Sequence, residues 1–283
     1  MSFSFFDRDA GDPDVLVPND FARSLWGTGQ MHGVALSGAL ARALEQQVEE
    51  VGRSDLRPAR YTVDLFRAAR LRPCRLSTRV VREGPRLCLV DSLMEQDGES
   101  VARASAVFLR PGEPATGEVW EPDEEAPAPP PLELAPVSDK PRVPLFASEG
   151  VGWSDEFGQH QNPGRKTTWQ TGMAVVPDEV PSPFVAVASV ADAASMVTNW
   201  GSRGVEQINT DITLTLARLP VTLEIGLSAT DRVSADGIAV GTAVVFDREG
   251  KLGTVVVSSL ANAQRAVDFE KNHFADDPRS SNA

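Results

Sequence analysis

A chain of 283 residues with 41% apolar and 24% charged residues has the composition of a globular protein, and its length fits one large or two ordinary domains. The net charge of −13 argues against nucleic acid or an anionic membrane surface as partner, and no apolar run approaches the roughly 20 residues of a membrane-spanning helix. The start, MSFSFFDRDAGDPD, lacks the basic and apolar regions of a secretory signal, and the two cysteines, Cys74 and Cys88, have neither the number of a disulfide framework nor metal-ligand spacing, so a cytoplasmic chain with reduced core thiols is expected.

In chain order, a short aromatic strand is expected at Phe3–Phe6, followed by a turn-rich loop that runs through Trp26. GTGQMHGVALSGALARALEQQVEEV then predicts a helix from about Gln30 to about Val51, small and apolar at first and charged from Arg42 onward. Its first turns are buried and its last turns meet water. Three strand-like runs come next, Arg60–Phe66, Cys74–Arg82 and Leu87–Glu95, and a turn at Asp97-Gly98 leads to a fourth, Val101–Arg110. In the fourth, Ala102, Ala104, Ala106 and Phe108 alternate with Arg103, Ser105 and Val107, the period of a half-buried strand. Short turns between successive runs give an antiparallel meander. Between Arg53 and Arg86, ten arginines stand against Asp55, Asp64 and Glu83, a local balance of +7 in an acidic chain. A solvated sheet face and a docking field for a phosphorylated ligand both fit this run.

Residues 111–149 are rich in proline and acid and carry no period, which predicts an extended linker or a crossover along the surface. The earlier pattern then repeats. Trp169–Val176 is a strand candidate, Pro183–Trp200 a helix, and Gln207–Leu216, Thr222–Thr230, Ile238–Asp247 and Leu252–Leu260 are strand-like. Tyr61-Thr62-Val63-Asp64 matches Ile208-Asn209-Thr210-Asp211, and the turn before the last strand recurs at Asp247…Gly250. Shared order of helix, strands and turn points to duplication. A small-residue helix followed by a four-stranded antiparallel meander is the hotdog pattern. The expected fold class is therefore α+β, a tandem (double) hotdog of two antiparallel sheets, each wrapping a central helix. The expected divisions are hotdog units at 1–110 and 150–265, a linker at 111–149 and a poorly ordered tail at 266–283.

Within PFVAVASVADAASMVTNW, Asp192 is the single ionisable residue. A helix that is apolar on all sides is buried, and a carboxylate inside it must be hydrogen-bonded, shifted in pKa, or chemically employed. Composition alone leaves a core-bonded role and a functional role open. The corresponding turn of the first helix, around Gly33-Val34-Ala35, carries no acid, so the fold itself does not demand one.

Taken together and in order, GQMHGVALSGAL, YTVDLFRAARLRP, ASVADAASMV and INTDITLTLARLP resemble the acyl-CoA thioesterase II-like proteins, including an actinobacterial thioesterase-like branch. The resemblance covers nearly the whole chain outside the linker and the tail. It implies hydrolysis of a fatty-acyl thioester by an activated water, without a covalent intermediate or a cofactor, in a homodimer or higher homo-oligomer of lipid metabolism built by sheet-to-sheet contact. In that family an Asp on the second helix, a Thr or Ser on the next strand and a Gln on the last strand hold the water. These positions match Asp192, Asn209 and Val257. An amide can orient a water, whereas valine cannot. Thr210 is expected on the opposite side of its strand, and Ser258 or Ser259 stands in for the Gln only if a bulge shifts the register. At the entrance of the first helix, Gln30, His32 and Gly33 are the candidate substrate-binding residues, because close backbone approach there leaves N–H groups for an anion or a thioester carbonyl. A lone histidine near a helix start is more often a hydrogen-bonded structural residue than a catalytic one, and packing serves the glycines equally well.

His160 and His273 have no matched partners, and the chain carries no GxSxG elbow, phosphate-binding GxxxxGK, dinucleotide fingerprint or metal-spaced His/Cys cluster. The resulting expectation is an acyl-CoA thioesterase without metal, with Asp192 as general base, Asn209 orienting the water, and the arginine-rich tract or an adjoining subunit holding the nucleotide end of CoA. A catalytically impaired acyl-CoA or acyl-carrier-protein binding protein of the same fold is the alternative, supported by Val257.

Overall fold

The structure is a computed structural model that describes residues 3–271 apart from 13, 28, 121–124 and 139. The first half of the chain forms β1 (Phe6–Arg8), β2 (Val15–Pro18), α1 (Gly33–Glu50), β3 (Arg57–Leu65), β4 (Cys74–Gly84), β5 (Leu87–Gln96) and β6 (Glu99–Leu109). The second half forms β7 (Leu145–Ser148), β8 (Val151–Ser154), β9 (Lys166–Thr171), α2 (Pro183–Ala191), α3 (Ala194–Asn199), β10 (Trp200–Gly201), β11 (Gly204–Val205), β12 (Gln207–Asn209), β13 (Asp211–Leu216), β14 (Glu224–Ala235), β15 (Ile238–Asp247) and β16 (Gly250–Ala261). No helix among the described residues is long and apolar enough to cross a membrane. Cys74 and Cys88 are both free and buried.

Local chemistry fixes the helix ends. His32 caps α1 from extended backbone, and Gly52, at φ +76, takes the left-handed conformation that ends it while Arg53 N–H bonds back to the Val48 carbonyl. Ser182 caps α2 by accepting the Val185 N–H, with Pro183 in the first turn where its missing N–H costs nothing. The sequence suggests one helix over 183–200; the chain instead tightens where α2 meets α3. Ala193 bonds the Val190 carbonyl, Ser195 that of Asp192 and Met196 that of Ala193, all three residues back rather than four. Asp192 thus sits at a tightened turn, a common mark of a functional position within a helix.

The strands outside β10 and β11 form one antiparallel sheet of 14 strands in the order β1-β2-β4-β5-β6-β3-β13-β16-β15-β14-β9-β7-β8, with β12 beside β16. Where the sequence suggests two sheets, β3 and β13 pair across the halves, with Tyr61 opposite Leu214 and Thr62 opposite Thr213. The inner face of β4–β6 packs on α1, that of β14–β16 packs on α3, and α1 packs on α2. The hairpin turns Asp97-Gly98 and Asp236-Gly237 both have positive φ at both residues, the geometry that matches strand twist.

The expected strand 207–216 is interrupted. Asn209 lies opposite Ser259 but Thr213 lies opposite Val256, so β12–β13 carries one residue more than β16 between these pairs. That bulge is at Thr210, whose N–H and hydroxyl both bond the Ser258 carbonyl.

The later part of the proline-rich segment is anchored to the sheet at Pro130, Ala135 and Arg142, and its end, read from sequence as linker, already contains β7. Ala135 and Leu145 pack with Trp169, Val244 and Phe246 in a satellite core on the outer face of the sheet. Arg248 donates to the carbonyls of Pro130 and Ala135, lies over the Trp169 ring and pairs with Glu224, which also meets Arg142. The part of the tail that is described also packs: Val267 pairs with Val205, and Phe269 lies against Trp200 with ring centroids 4.5 Å apart. Residues 272–283 of the tail, His273 among them, lie outside the described residues.

Candidate active site

Helices α1 and α2 run antiparallel and meet through small side chains. Ser189 donates to the Val34 carbonyl at 2.8 Å and Ser37 to the Ala188 carbonyl at 2.6 Å. At one end of this contact stands Gly33, the first residue of α1, where an added Cβ would fall 2.3 Å from each carboxylate oxygen of Asp192. The acid of the second half therefore rests directly against the helix start of the first half, and glycine is what leaves it room. At the other end, Ser182 donates to Glu45, and Arg42 grips Glu179 with two bonds of 2.7 Å.

Asp192 is 9% exposed, and its Oδ1 accepts from Asn209 Nδ2 at 2.9 Å. Burial pushes its carboxyl up to about 6, against the lowering effect of the Asn209 bond. A carboxylate in that range can take a proton from water near neutral pH. The structure thus brings together Asp192, Asn209 and Gly33, each singled out in the sequence. His32 precedes Gly33, but its ring serves the helix: Nδ1 accepts the Ala35 N–H and Nε2 lies 2.8 Å from the Phe21 carbonyl, which makes Nε2 the protonated nitrogen. Gln30 bridges Arg70 through its backbone, and its side chain lies over Gly27.

Val257 is fully buried in the apolar core, opposite Gly241 on β15. Ser259, the next residue of β16 on the inner face, stands opposite Asn209 and accepts from Asn199 Nδ2 at 3.1 Å. Thr210 contributes nothing to this inner face, because its hydroxyl is bonded to the Ser258 carbonyl and to Asp211. Ser259 and Asn199 are the polar groups that strand alternation alone does not reveal. The one-residue bulge at Thr210 decides which side chain of β16 faces Asn209.

The arginine tract dissolves into ion pairs. Arg67 meets Glu99, Arg72 meets Asp97, Arg75 meets Asp12 and Arg79 meets Asp91, with all four acids supplied from outside residues 53–86. Arg53 and Arg110 share Asp55 beside an open depression of about 450 Å³, near the C-terminal end of α1 and far from Asp192. The solvated sheet face describes most of this run better than a docking field.

Residues 22–109 match the family model of the acyl-CoA thioesterase N-terminal domain, and residues 121–256 match that of the acyl-CoA thioesterase C-terminal domain. No curated protein sequence gives a significant match. Among solved structures, a tesB protein from Mycobacterium avium subs paratuberculosis aligns with a TM-score of 0.63 at 17% identity, over 89% of this chain and 95% of that one. An acyl-CoA thioesterase II, TesB2, from Mycobacterium marinum gives 0.60 at 13% identity, over 91% and 95%. A protein from Alicyclobacillus acidocaldarius described as having a hot dog fold gives 0.61 at 19% identity, over 89% and 94%. At these identities the structural likenesses establish the hotdog fold alone.

Proposed function

Because the chain belongs to the acyl-CoA thioesterase II-like family, whose N- and C-terminal domain models it matches in order, we propose that it hydrolyses acyl-CoA thioesters to free acid and CoA with a water activated by Asp192. The observation that carries this reading is the buried Asp192 carboxylate, bonded to Asn209 and seated against Gly33. Asp192 takes a proton from the water, whose oxygen attacks the thioester carbonyl carbon. The carbon–sulfur bond then breaks, and the proton passes from Asp192 to the departing CoA sulfur. Asn209 keeps one carboxylate oxygen fixed and retains an amide oxygen to orient the water. The first turn of α1 presents N–H groups that the helix itself cannot bond, with their positive end toward the carbonyl oxygen as it gains charge. Gly33 gives the backbone its access, while Gln30 and His32 hold the entrance segment in shape. Ser259, opposite Asn209, supplies the third polar group that Val257 cannot.

The same reading takes the architecture as two hotdog units in tandem, at 1–110 and 150–265, joined by 111–149, and the working form as a cytoplasmic homodimer or higher homo-oligomer. Val257 favours a second reading, an acyl-CoA or acyl-carrier-protein binder of this fold without turnover. Release of free thiol from acyl-CoAs of varied chain length, measured for the native chain and for Asp192→Asn, separates these possibilities. Turnover that survives the substitution unchanged would sink the mechanism, and tight binding with no turnover in the native chain would establish the second reading.

A further inference from the structure

We propose that Arg232 holds a phosphate of the CoA moiety, an inference that rests on the acyl-CoA reading of the Asp192 site and extends it. The acidic chain, at −13, repels a polyanionic substrate overall, so a local cation whose charge is not already met by a carboxylate is needed to receive one. Most arginines whose contacts are described fail that requirement: Arg53, Arg103, Arg110, Arg142, Arg218 and Arg248 each face a carboxylate. Arg232 is held by neutral groups. Its Nε donates to Asn199 Oδ1 at 3.2 Å, one terminal nitrogen donates to the Ser234 hydroxyl at 3.1 Å, and the other donates to Gln207 Oε1 at 2.8 Å. The adjacent Asp231 carboxylate accepts the Arg232 backbone N–H.

A guanidinium has five N–H donors in a rigid fork. Three are used to fix its plane, which leaves one on each terminal nitrogen to donate to phosphate oxygens. The fork also lies on the correct side of the sheet. Arg232 pairs with Gly241, and a Cβ at Gly241 would fall 2.4 Å from Thr198 of α3, so both face the helix side. From there the contacts run through Asn199 to Ser259, which stands opposite Asn209, the partner of Asp192. Three side chains thus separate cation from carboxylate, a span on the order of 10 Å. A pantetheine arm with ordinary bends covers such a distance between a thioester and the nearest CoA phosphate.

The test compares acyl-CoA with the same acyl group on pantetheine, which has the arm and no phosphate. For Arg232→Gln, the ratio of kcat/KM on the CoA thioester to that on the pantetheine thioester is expected to fall roughly 10- to 100-fold, mostly through KM, with Arg232→Lys in between. Calorimetric titration with free CoA and free pantetheine reads the same contact without turnover. An Arg232-dependent preference for CoA in that titration, even from a chain that hydrolyses nothing, supports the phosphate site while removing the hydrolytic reading. Three outcomes overturn the proposal: equal loss on both thioesters, which makes Arg232 only a prop for Asn199; native binding of CoA no tighter than pantetheine; and Arg232 dependence confined to acyl groups that carry their own carboxylate.

Discussion

Between pH 4 and 6 the Asp192 carboxyl, raised to about 6 from 3.8, holds a proton more often in the folded chain than in the unfolded one. Stability therefore falls as pH rises through this window, and the penalty is fully present above about pH 6, at about 3 kcal/mol for a shift of about two units. Asp192→Asn is expected to stabilise the chain by up to that amount at pH 8, with the gain vanishing below about pH 4, while thiol release falls roughly 100-fold or more. Urea denaturation at the two pH values, beside the turnover assay, checks both halves of this expectation. In the native chain, activity is expected to rise with pH through about 6 as the carboxylate forms. Gly33→Ala tests the geometry: alanine is the better helix former, yet its methyl would occupy the place of the carboxylate oxygens. Circular dichroism is expected to stay native while kcat drops at least roughly tenfold, and an unchanged kcat would detach the carboxylate from the chemistry. At this scale the sequence is legible where one residue contrasts with its surroundings, as Asp192 does. Ser259 shows no such contrast, because its facing is set by the bulge at Thr210, with β13, β14 and β15 lying between them in sequence.

Among the elements, the strap over residues 130–142 depends on a single buried acid. Glu224 is fully buried between Arg142 and Arg248, and Arg248 in turn holds the strap carbonyls. Glu224→Ala leaves both cations without their shared partner and is expected to cost about 3 kcal/mol, read in denaturation, with faster proteolysis within 111–142. A change below about 0.5 kcal/mol would show that the apolar contacts of Ala135 and Leu145 hold the strap unaided. Prolines announce an extended segment, but its anchors lie some hundred residues away in the chain, beyond the reach of local pattern. The same limit explains the short strands near the two ends of the sheet. The long alternating strands β5 and β6 are plain in the sequence, whereas β2, β7 and β8 are four residues each and exist only because a neighbouring strand bonds them. The tightened turn at Asp192 is likewise invisible in an unbroken apolar run.

For the whole molecule, the pairing of β3 with β13 makes the two halves one hydrogen-bonded body, although each half carries its own helix followed by antiparallel strands. The recurring pattern of helix, strands and turn is legible in the sequence; the join is not, because edge pairing leaves no trace in either half alone. Duplication would be expected to produce two related sites, one at each end of the α1–α2 contact. Counted from the helix starts at Gly33 and Pro183, the residue at the same tenth place as Asp192 is Arg42, not one of the Gly33-Val34-Ala35 turn that the sequence pattern suggests. One of these places holds an acid against glycine, and the other holds an arginine clamped to Glu179. The consequence is a matter of stoichiometry: on the tandem-hotdog reading, the chain is still expected to saturate with a single equivalent of a non-hydrolysable acyl-CoA ether. Calorimetric titration giving two equivalents per chain would mean that the Arg42 end had kept its vacancy.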